Sequence, residues 1–241
     1  GAQALDDFPE LIPNIMSGKS IGDVITSFPS TTSTALATLM TGALPNEHGM
    51  LGYTVRIPYS DNRLLNALKW DSRVDPVIWQ SQATLFEQGE KSGIHSFNIS
   101  AERYGGSGFT EAALRGATFL GANTFDRMID QLRIATKKAP AFIYLYINDV
   151  DAAGHEFGVG SDEWLDEPET LAPLMKGAPM FTSSPSATSS TSSNLSAAPC
   201  SLSWLSILVN MPPGTCANKM RPSTPFKLPS NDAYFLRTSR K

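Results

Sequence analysis

The strongest constraint on the fold is an almost wholly apolar run of seven residues, Ala141–Ile147, which follows directly on Pro140. A strand has this composition when both faces of its sheet are covered, as in most parallel sheets. The preceding segment, residues 123–138, has apolar side chains at helical spacing and charged residues on the opposite side, which predicts an amphipathic helix. Strands and helices alternate through residue 147. The chain is therefore predicted to be α/β, with helices on both faces of a mostly parallel central sheet.

Polar residues follow this strand immediately, in the segment 148–158, where Asp149, Asp151 and His155 stand close together. Open α/β sheets place their functional sites beyond the carboxyl ends of their strands. Carboxylate oxygens and an imidazole nitrogen four residues apart are ligands that zinc and manganese accept. The alternative is an Asp-rich loop in which Gly154 makes the turn. The segment therefore predicts either a cation site or a simple connection.

A second candidate site lies early in the chain. A turn is predicted over residues 17–22 and a strand over 23–28, and a cluster of hydroxyl side chains follows at residues 30–34. Apolar residues then recur at helical spacing up to Gly42, which predicts a helix from about residue 32 to 41. The first amides of a helix lack internal partners and the helix dipole is positive there, so this end attracts anions. One hydroxyl is enough to cap a helix, and this cluster has five. The sequence therefore leaves two interpretations of the cluster open, helix capping and catalysis.

Three smaller features have structural interpretations. His48, in a Pro- and Gly-rich loop, is predicted to make local hydrogen bonds, and His95 is predicted to be an ordinary residue of a strand over 94–99. The glycines of residues 105–108 resemble a phosphate-binding loop only weakly, because no P-loop lysine follows them.

Charge and composition exclude several classes of protein. The net charge of −4 over 241 residues argues against a nucleic-acid-binding protein. The sequence contains no run of 18 apolar residues, so no membrane span is predicted and the chain is expected to be soluble. It begins Gly-Ala-Gln without a basic and then apolar segment, so no signal peptide is visible. Two cysteines leave the compartment open.

Two stretches together resemble one family. Residues 28–42, Phe-Pro-Ser-Thr-Thr-Ser-Thr-Ala-Leu-Ala-Thr-Leu-Met-Thr-Gly, and the following Leu-Pro-Asn-Glu-His-Gly at 44–49 resemble the nucleophile region of the type I phosphodiesterase/nucleotide pyrophosphatase family. That family belongs to the alkaline phosphatase superfamily. Residues 144–158 resemble its second metal-binding motif. The resemblance covers about residues 1–165 and is closest to bacterial members.

The resemblance implies an alkaline-phosphatase-like fold and a phosphoric ester hydrolase. Thr32 matches the nucleophilic threonine, which also contacts a metal ion, and Thr31 is the neighbour that a one-residue shift would select instead. Asp151 and His155 match ligands of one of two divalent metal ions, usually zinc. The implied substrate is a small phosphoester or nucleotide, hydrolysed through a phosphothreonine intermediate.

The sequence also departs from the family pattern. The first-strand aspartate ligand is absent, which predicts a truncated N-terminus. The family's later Asp-His-Gly motif and final histidine are missing as well, because no histidine follows His155. Thr31 and Tyr53 stand where better-studied members have a lysine and a phosphate-contacting asparagine. An incomplete metal site is therefore expected.

Residues 166–241 differ from the rest in composition. They are rich in serine, threonine and proline, and from residue 177 onward they contain six basic side chains against one acidic one. We expect this tail to be disordered or irregular and to lie outside the family fold. A linker, an insertion or out-of-frame translation after about Asp166 would each explain it. We favour out-of-frame translation, which the other two reading frames of the coding DNA would reveal.

Two functional hypotheses follow. The first is a metal-dependent phosphoric ester hydrolase, impaired in this chain because ligands are missing. The second is a non-catalytic α/β fragment or binding module with a disordered tail. A sulfatase is disfavoured, since the hydroxyl cluster lacks the arginine of a formylglycine motif.

Overall fold

The computed structural model describes residues 19–23, 27–138, 140–166, 205–209 and 234–237. Its strands are β1 (Lys19–Asp23), β2 (Thr54–Arg56), β3 (Leu64–Asn66), β4 (His95–Ser100), β5 (Thr118–Gly121), β6 (Ala141–Ile147), β7 (Leu205–Val209) and β8 (Tyr234–Arg237). Its helices are α1 (Thr32–Thr41), α2 (Pro45–His48), α3 (Pro76–Trp79), α4 (Leu85–Lys91), α5 (Gly108–Ala113), α6 (Phe125–Thr136) and α7 (Asp149–Glu156), with a 3-10 turn at Glu102–Tyr104. Among these helices none is long and apolar enough to cross a membrane.

The main sheet has the strand order β1-β8-β7-β6-β4-β5. Strand β4 pairs in parallel with β5 and β6, and β1 pairs in parallel with β8. Strand β7 is antiparallel to both of its neighbours. Strands β2 and β3 form a separate antiparallel pair. The parallel strands β4, β5 and β6 end at the same edge of the sheet, where the 3-10 turn and α7 begin.

Two apolar clusters cover opposite faces of this sheet, which confirms the predicted α/β fold with helices on both sides. In the first, Met128, Ile129 and Leu132 of α6 pack against Ile143 and other residues of β4 and β6. The second cluster joins the other face of β6 to α1, α4 and α5. It contains Leu36, Ala37, Met40, Phe86, Phe109, Ala113, Phe142 and Tyr144.

The predicted elements agree best where the sequence pattern is longest. The helix predicted over 123–138 is α6, and the strand predicted over 141–147 is β6 without any change of bounds. The predicted strand at 94–99 is β4, shifted by one residue. Helix α1 ends at Gly42, whose φ of 69° is left-handed, a conformation that glycine adopts without strain.

The prediction was wrong near the N-terminus. The segment expected to form a turn, residues 17–22, contributes most of β1. Of the strand expected over 23–28, residues 24–26 lie outside the described ranges, and residues 27 and 28 are not in a strand. Strands β7 and β8 come from the predicted tail and lie in the sheet. The expectation that residues 166–241 stand apart from the family fold stays a prediction.

Candidate active site

The hydroxyl cluster lies at the start of α1, and most of its members make hydrogen bonds within the protein. The N-cap is Thr31, in extended conformation, whose Oγ1 accepts from the Thr34 amide at 3.4 Å and donates to Thr34 Oγ1 at 3.0 Å. Ser33 is buried, and its Oγ donates to the Gly52 carbonyl at 2.8 Å. Ser33 thereby ties α1 to the loop that precedes β2.

Thr32 differs from these neighbours. It is the first residue of α1 and is half-buried. Among the described residues, no hydrogen bond uses its hydroxyl, and the side chain lines a cavity. A hydroxyl in this position lies beside the helix's first amides, where a negative charge is stabilised.

His48 holds this region together, as the sequence predicted. Its Nδ1 accepts from the Met50 amide at 3.0 Å, and its Nε2 lies 2.9 Å from Thr38 Oγ1 on α1. Burial lowers the pKa of His48. The imidazole is therefore neutral, and its Nε2–H donates to Thr38. His48 is not among the residues that line the cavity.

The acidic segment after β6 is a helix rather than a loop. Asp149 and Asp151 stand in the first turn of α7, where carboxylates are favoured by the helix dipole. Asp151 and His155 are one helical turn apart, with Oδ2 and Nε2 separated by 3.6 Å. The Asp151 side chain is 13% exposed and that of His155 is 83% exposed. Gly154 does not make a turn; it lies inside the helix.

A cavity of about 910 Å³ brings the candidates together. Thr32, Asp151 and His155 all line it, whereas Asp149 does not. Its other polar lining residues are Ser30, Thr31, Asn98, Ser100, Arg103, Ser107, Thr110 and Asn148, and its apolar and aromatic ones are Leu36, Tyr53, Leu68, Tyr104, Phe109, Leu114, Tyr144, Tyr146, Gly154 and Val159. The cavity thus joins the start of α1 to the carboxyl edge of β4 and β6.

The Asp151–His155 pair fits two ligands of one metal ion. Zinc lies about 2.0–2.2 Å from such ligands, so tetrahedral neighbours are roughly 3.4 Å apart, close to the observed 3.6 Å. Within the described ranges, no group of three or more His, Cys, Asp or Glu side chains could complete the site. The residues present therefore fit a metal ion but account for only part of its coordination.

Several cavity residues were missed by the sequence analysis. Arg103 extends over the Tyr104 ring, 4.8 Å from its centroid, and donates to Tyr104 Oη at 3.0 Å and to Asn148 Oδ1 at 3.3 Å. Tyr146 contacts the rings of Tyr104 and Tyr144. Burial raises the pKa of Tyr146 well above its usual range, so its hydroxyl stays protonated. Their position in the sequence could have identified them as candidates, because they lie at or just beyond the carboxyl ends of β4 and β6.

Comparison with known proteins places this site in a family. The family model of type I phosphodiesterase / nucleotide pyrophosphatase matches residues 2–175. The chain belongs to that family. The match confirms the resemblance of the two motifs and covers Thr32, Asp151 and His155.

Relatives of this family member are distant and longer. An uncharacterized pyrophosphatase/phosphodiesterase of Schizosaccharomyces pombe is 25% identical over 162 residues, which cover 63% of this chain and 33% of the relative. Venom phosphodiesterase 2 of Crotalus adamanteus is 26% identical over 185 residues, or 72% of this chain and 22% of the relative. The chain thus spans a third or less of these proteins.

A solved structure confirms the fold. Murine ectonucleotide pyrophosphatase/phosphodiesterase 5 matches with a TM-score of 0.51 and 18% identity, over 70% of this chain and 48% of the other. The alkaline-phosphatase-like α/β architecture is consistent with this match. Closeness to bacterial members and a truncated N-terminus stay predictions.

Proposed function

We propose that the cavity is the catalytic site of a phosphoric ester hydrolase in which Thr32 is the nucleophile. The observation that carries this proposal is that Thr32, Asp151 and His155, which are far apart in sequence, line one cavity. The family consists of phosphodiesterases and nucleotide pyrophosphatases, so a phosphodiester or nucleotide pyrophosphate is the substrate class.

Thr32 is better placed for attack than the other hydroxyls at the cap and in the first turn of α1. Thr31, Ser33 and Thr34 all take part in hydrogen bonds at the helix start. The Thr32 hydroxyl makes none within the described part of the chain, so an incoming phosphoryl group need not displace a partner. Its oxygen would attack phosphorus while one alcohol or nucleotide leaves with the hydroxyl proton. The threonine would then carry the phosphoryl group and its remaining ester, and water would hydrolyse this esterified phosphothreonine.

The charge of the substrate would be met from two sides. The free amides at the start of α1 favour phosphoryl oxygens. Arg103 is the only Lys or Arg among the described lining residues, and its guanidinium can pair with a non-reacting phosphate oxygen. A divalent ion held by Asp151 and His155, zinc by family resemblance, would lower the pKa of a bound hydroxyl and neutralise phosphoryl charge.

The second candidate is a non-catalytic binding module, which the incomplete ligand set favours. In that case the cavity would bind phosphoesters without turning them over. Thr32→Ala would then leave their affinity unchanged.

The test is hydrolysis of bis(p-nitrophenyl) phosphate with added zinc, followed by peptide mass spectrometry of the quenched enzyme. We expect slow turnover, which Thr32→Ala lowers at least about a thousand-fold, and a peptide in which Thr32 carries a p-nitrophenyl phosphoryl group. Thr54→Ala, an exposed threonine outside the cavity, is the matched control. Unchanged turnover in Thr32→Ala, or a phosphate on another residue, would contradict the proposal. No turnover and no phosphopeptide would support the binding module.

A further inference from the structure

Asn98 occupies a peculiar position in the central strand β4. Side chains alternate across a strand, and its neighbours Phe97 and Ile99 belong to the cluster beneath α6. Asn98 therefore faces the opposite side, toward α1 and α5, where it pairs in register with Tyr144 of β6. Its residue is 1% exposed, yet it lines the same cavity as Thr32.

Neither polar atom of this side chain has a hydrogen-bond partner: Nδ2 and Oδ1 are both buried and unpaired among the described residues. An unpaired buried amide is costly, and native proteins rarely keep one without a reason. Two other buried side chains of this region do make hydrogen bonds. Ser96 Oγ, on the same face of β4, donates to the Phe86 carbonyl, and Thr110 Oγ1 donates to the Tyr104 carbonyl.

The surroundings indicate what Asn98 could bind. Leu36, Phe109, Leu114 and Tyr144 line the cavity and also belong to the apolar cluster on this face. A carboxamide offers one donor and one acceptor side by side. Apolar walls that include the rings of Phe109 and Tyr144, together with such a pair, match a neutral, planar ring whose edge carries an adjacent acceptor and donor, such as the lactam or amidine edge of a nucleobase.

We propose that Asn98 is a specificity-determining residue that recognises this edge on the non-reacting part of the substrate. The statement that the recognised ring is part of a phosphoester rests on the proposed function. The binding of the ring edge by Asn98 is independent of that function, because it requires neither Thr32 nor a metal ion. The unpaired amide is thus kept for a ligand at the expense of the stability of the free protein.

The test uses uncharged nucleosides and the full chain, without metal and without turnover. Uridine is titrated by calorimetry or ligand-observed NMR, and 3-methyluridine, which has lost the N3–H donor, is the matched ligand. We expect uridine to bind and 3-methyluridine to bind at least about tenfold more weakly, as expected when a buried polar partner is left unpaired. Equal binding of the two nucleosides, or no binding of uridine, overturns the proposal.

Two variants separate recognition from a structural role. Asn98→Leu should lose uridine affinity about tenfold or more while its melting temperature stays the same or rises, because it removes an unpaired buried amide. Gln131→Leu is the matched control: Gln131 is a buried carboxamide on α6 that donates to the Gly121 carbonyl, outside the cavity. Unchanged uridine affinity in Asn98→Leu would overturn the proposal. Thr32→Ala should keep wild-type uridine affinity even if it abolishes hydrolysis, so failure of the two proposals can be distinguished.

Discussion

His48 and Thr38 are joined by a hydrogen bond of 2.9 Å between Nε2 and Oγ1, and the Met50 amide donates to the other ring nitrogen at 3.0 Å. This bridge connects the end of α2 to α1, the helix that begins at Thr32. His48→Ala should therefore lower the free energy of unfolding by about 2–4 kcal/mol, through a lost contact and unpaired polar groups. Chemical denaturation measures this loss. His95→Ala, at an exposed position of β4, should change stability by less than about 0.5 kcal/mol, and a comparable loss there would contradict the assignment.

The same histidine predicts a pH dependence of stability. Burial lowers the pKa of His48 in the folded protein, whereas in the unfolded chain it stays near about 6.5. The unfolded state therefore binds more protons below that value. The contribution of neutral His48 is fully present above about pH 6.5 and is lost as the pH falls toward the folded-state pKa. Unfolding curves of wild type and His48→Gln between about pH 5 and 8 should converge on acidification; parallel curves would disprove the link.

Zinc binding should be weak and should depend on one face of α7. The described residues offer only Asp151 and His155 as a ligand pair, and catalytic zinc sites usually have three protein ligands. We expect fewer than two equivalents of zinc after desalting, reduced further by Asp151→Ala or His155→Ala. Asp149→Ala is the control, since Asp149 lies in the same helical turn but outside the cavity. Two tightly held equivalents, with turnover that Thr32→Ala abolishes, would show that the site is complete.

Arg103 should contribute to the binding of anionic substrates. Its guanidinium lies at the cavity, fixed by Tyr104 and Asn148, and a charge-assisted hydrogen bond contributes about 1.5–3 kcal/mol. Arg103→Ala should therefore weaken AMP binding at low salt by roughly tenfold or more, and the loss should shrink as salt is added. The control is Arg133→Ala, an exposed arginine paired with Asp130 on α6. Equal AMP affinity in wild type and Arg103→Ala would exclude this role.

Gly108 should not tolerate a larger residue. A Cβ built there would overlap Trp70 Cγ and lie 2.6 Å from Trp70 Cβ, so the Trp70 ring could not move aside without a shift of its backbone. Gly108→Ala should cost about 1–3 kcal/mol through overpacking, measured by denaturation. In Gly52→Ala the nearest atom, Pro29 Cγ, is 3.9 Å away, and the cost should be much smaller. Similar costs for the two variants would be inconsistent with the contact.

Sequence reasoning recovered the elements whose pattern is local. Residues 141–147 were predicted to be a buried strand and form β6, and Gly42 marked the end of α1. The helical state of 149–156 was missed because Gly154 suggests a turn by propensity. In the structure Gly154 instead lets Trp164 approach: an added Cβ would lie 3.3 Å from its Cδ1 and Nε1. That packing cannot be read from the segment alone.

The candidate site was recovered in part for a similar reason. Thr32, Asp151 and His155 could be found because they belong to motifs with recognisable spacing. Asn98 and Ser100 escaped notice because polar residues alternating in a strand usually indicate a solvated face. Here α1 and α5 cover that face, and both residues are buried. Their role depends on tertiary contacts that no window of the sequence contains.

The spacing of Asp151 and His155 has a consequence for assembly. Since one turn of α7 separates them, the helical backbone sets the geometry of the pair. The chain between the two ligands is short, so bringing them together costs little conformational entropy. The two side chains are therefore brought together whenever α7 is helical, without any contact between distant segments of the chain. An ion bound by this pair would in turn favour the helical state of α7, so metal binding and order at the carboxyl edge of the sheet would be coupled.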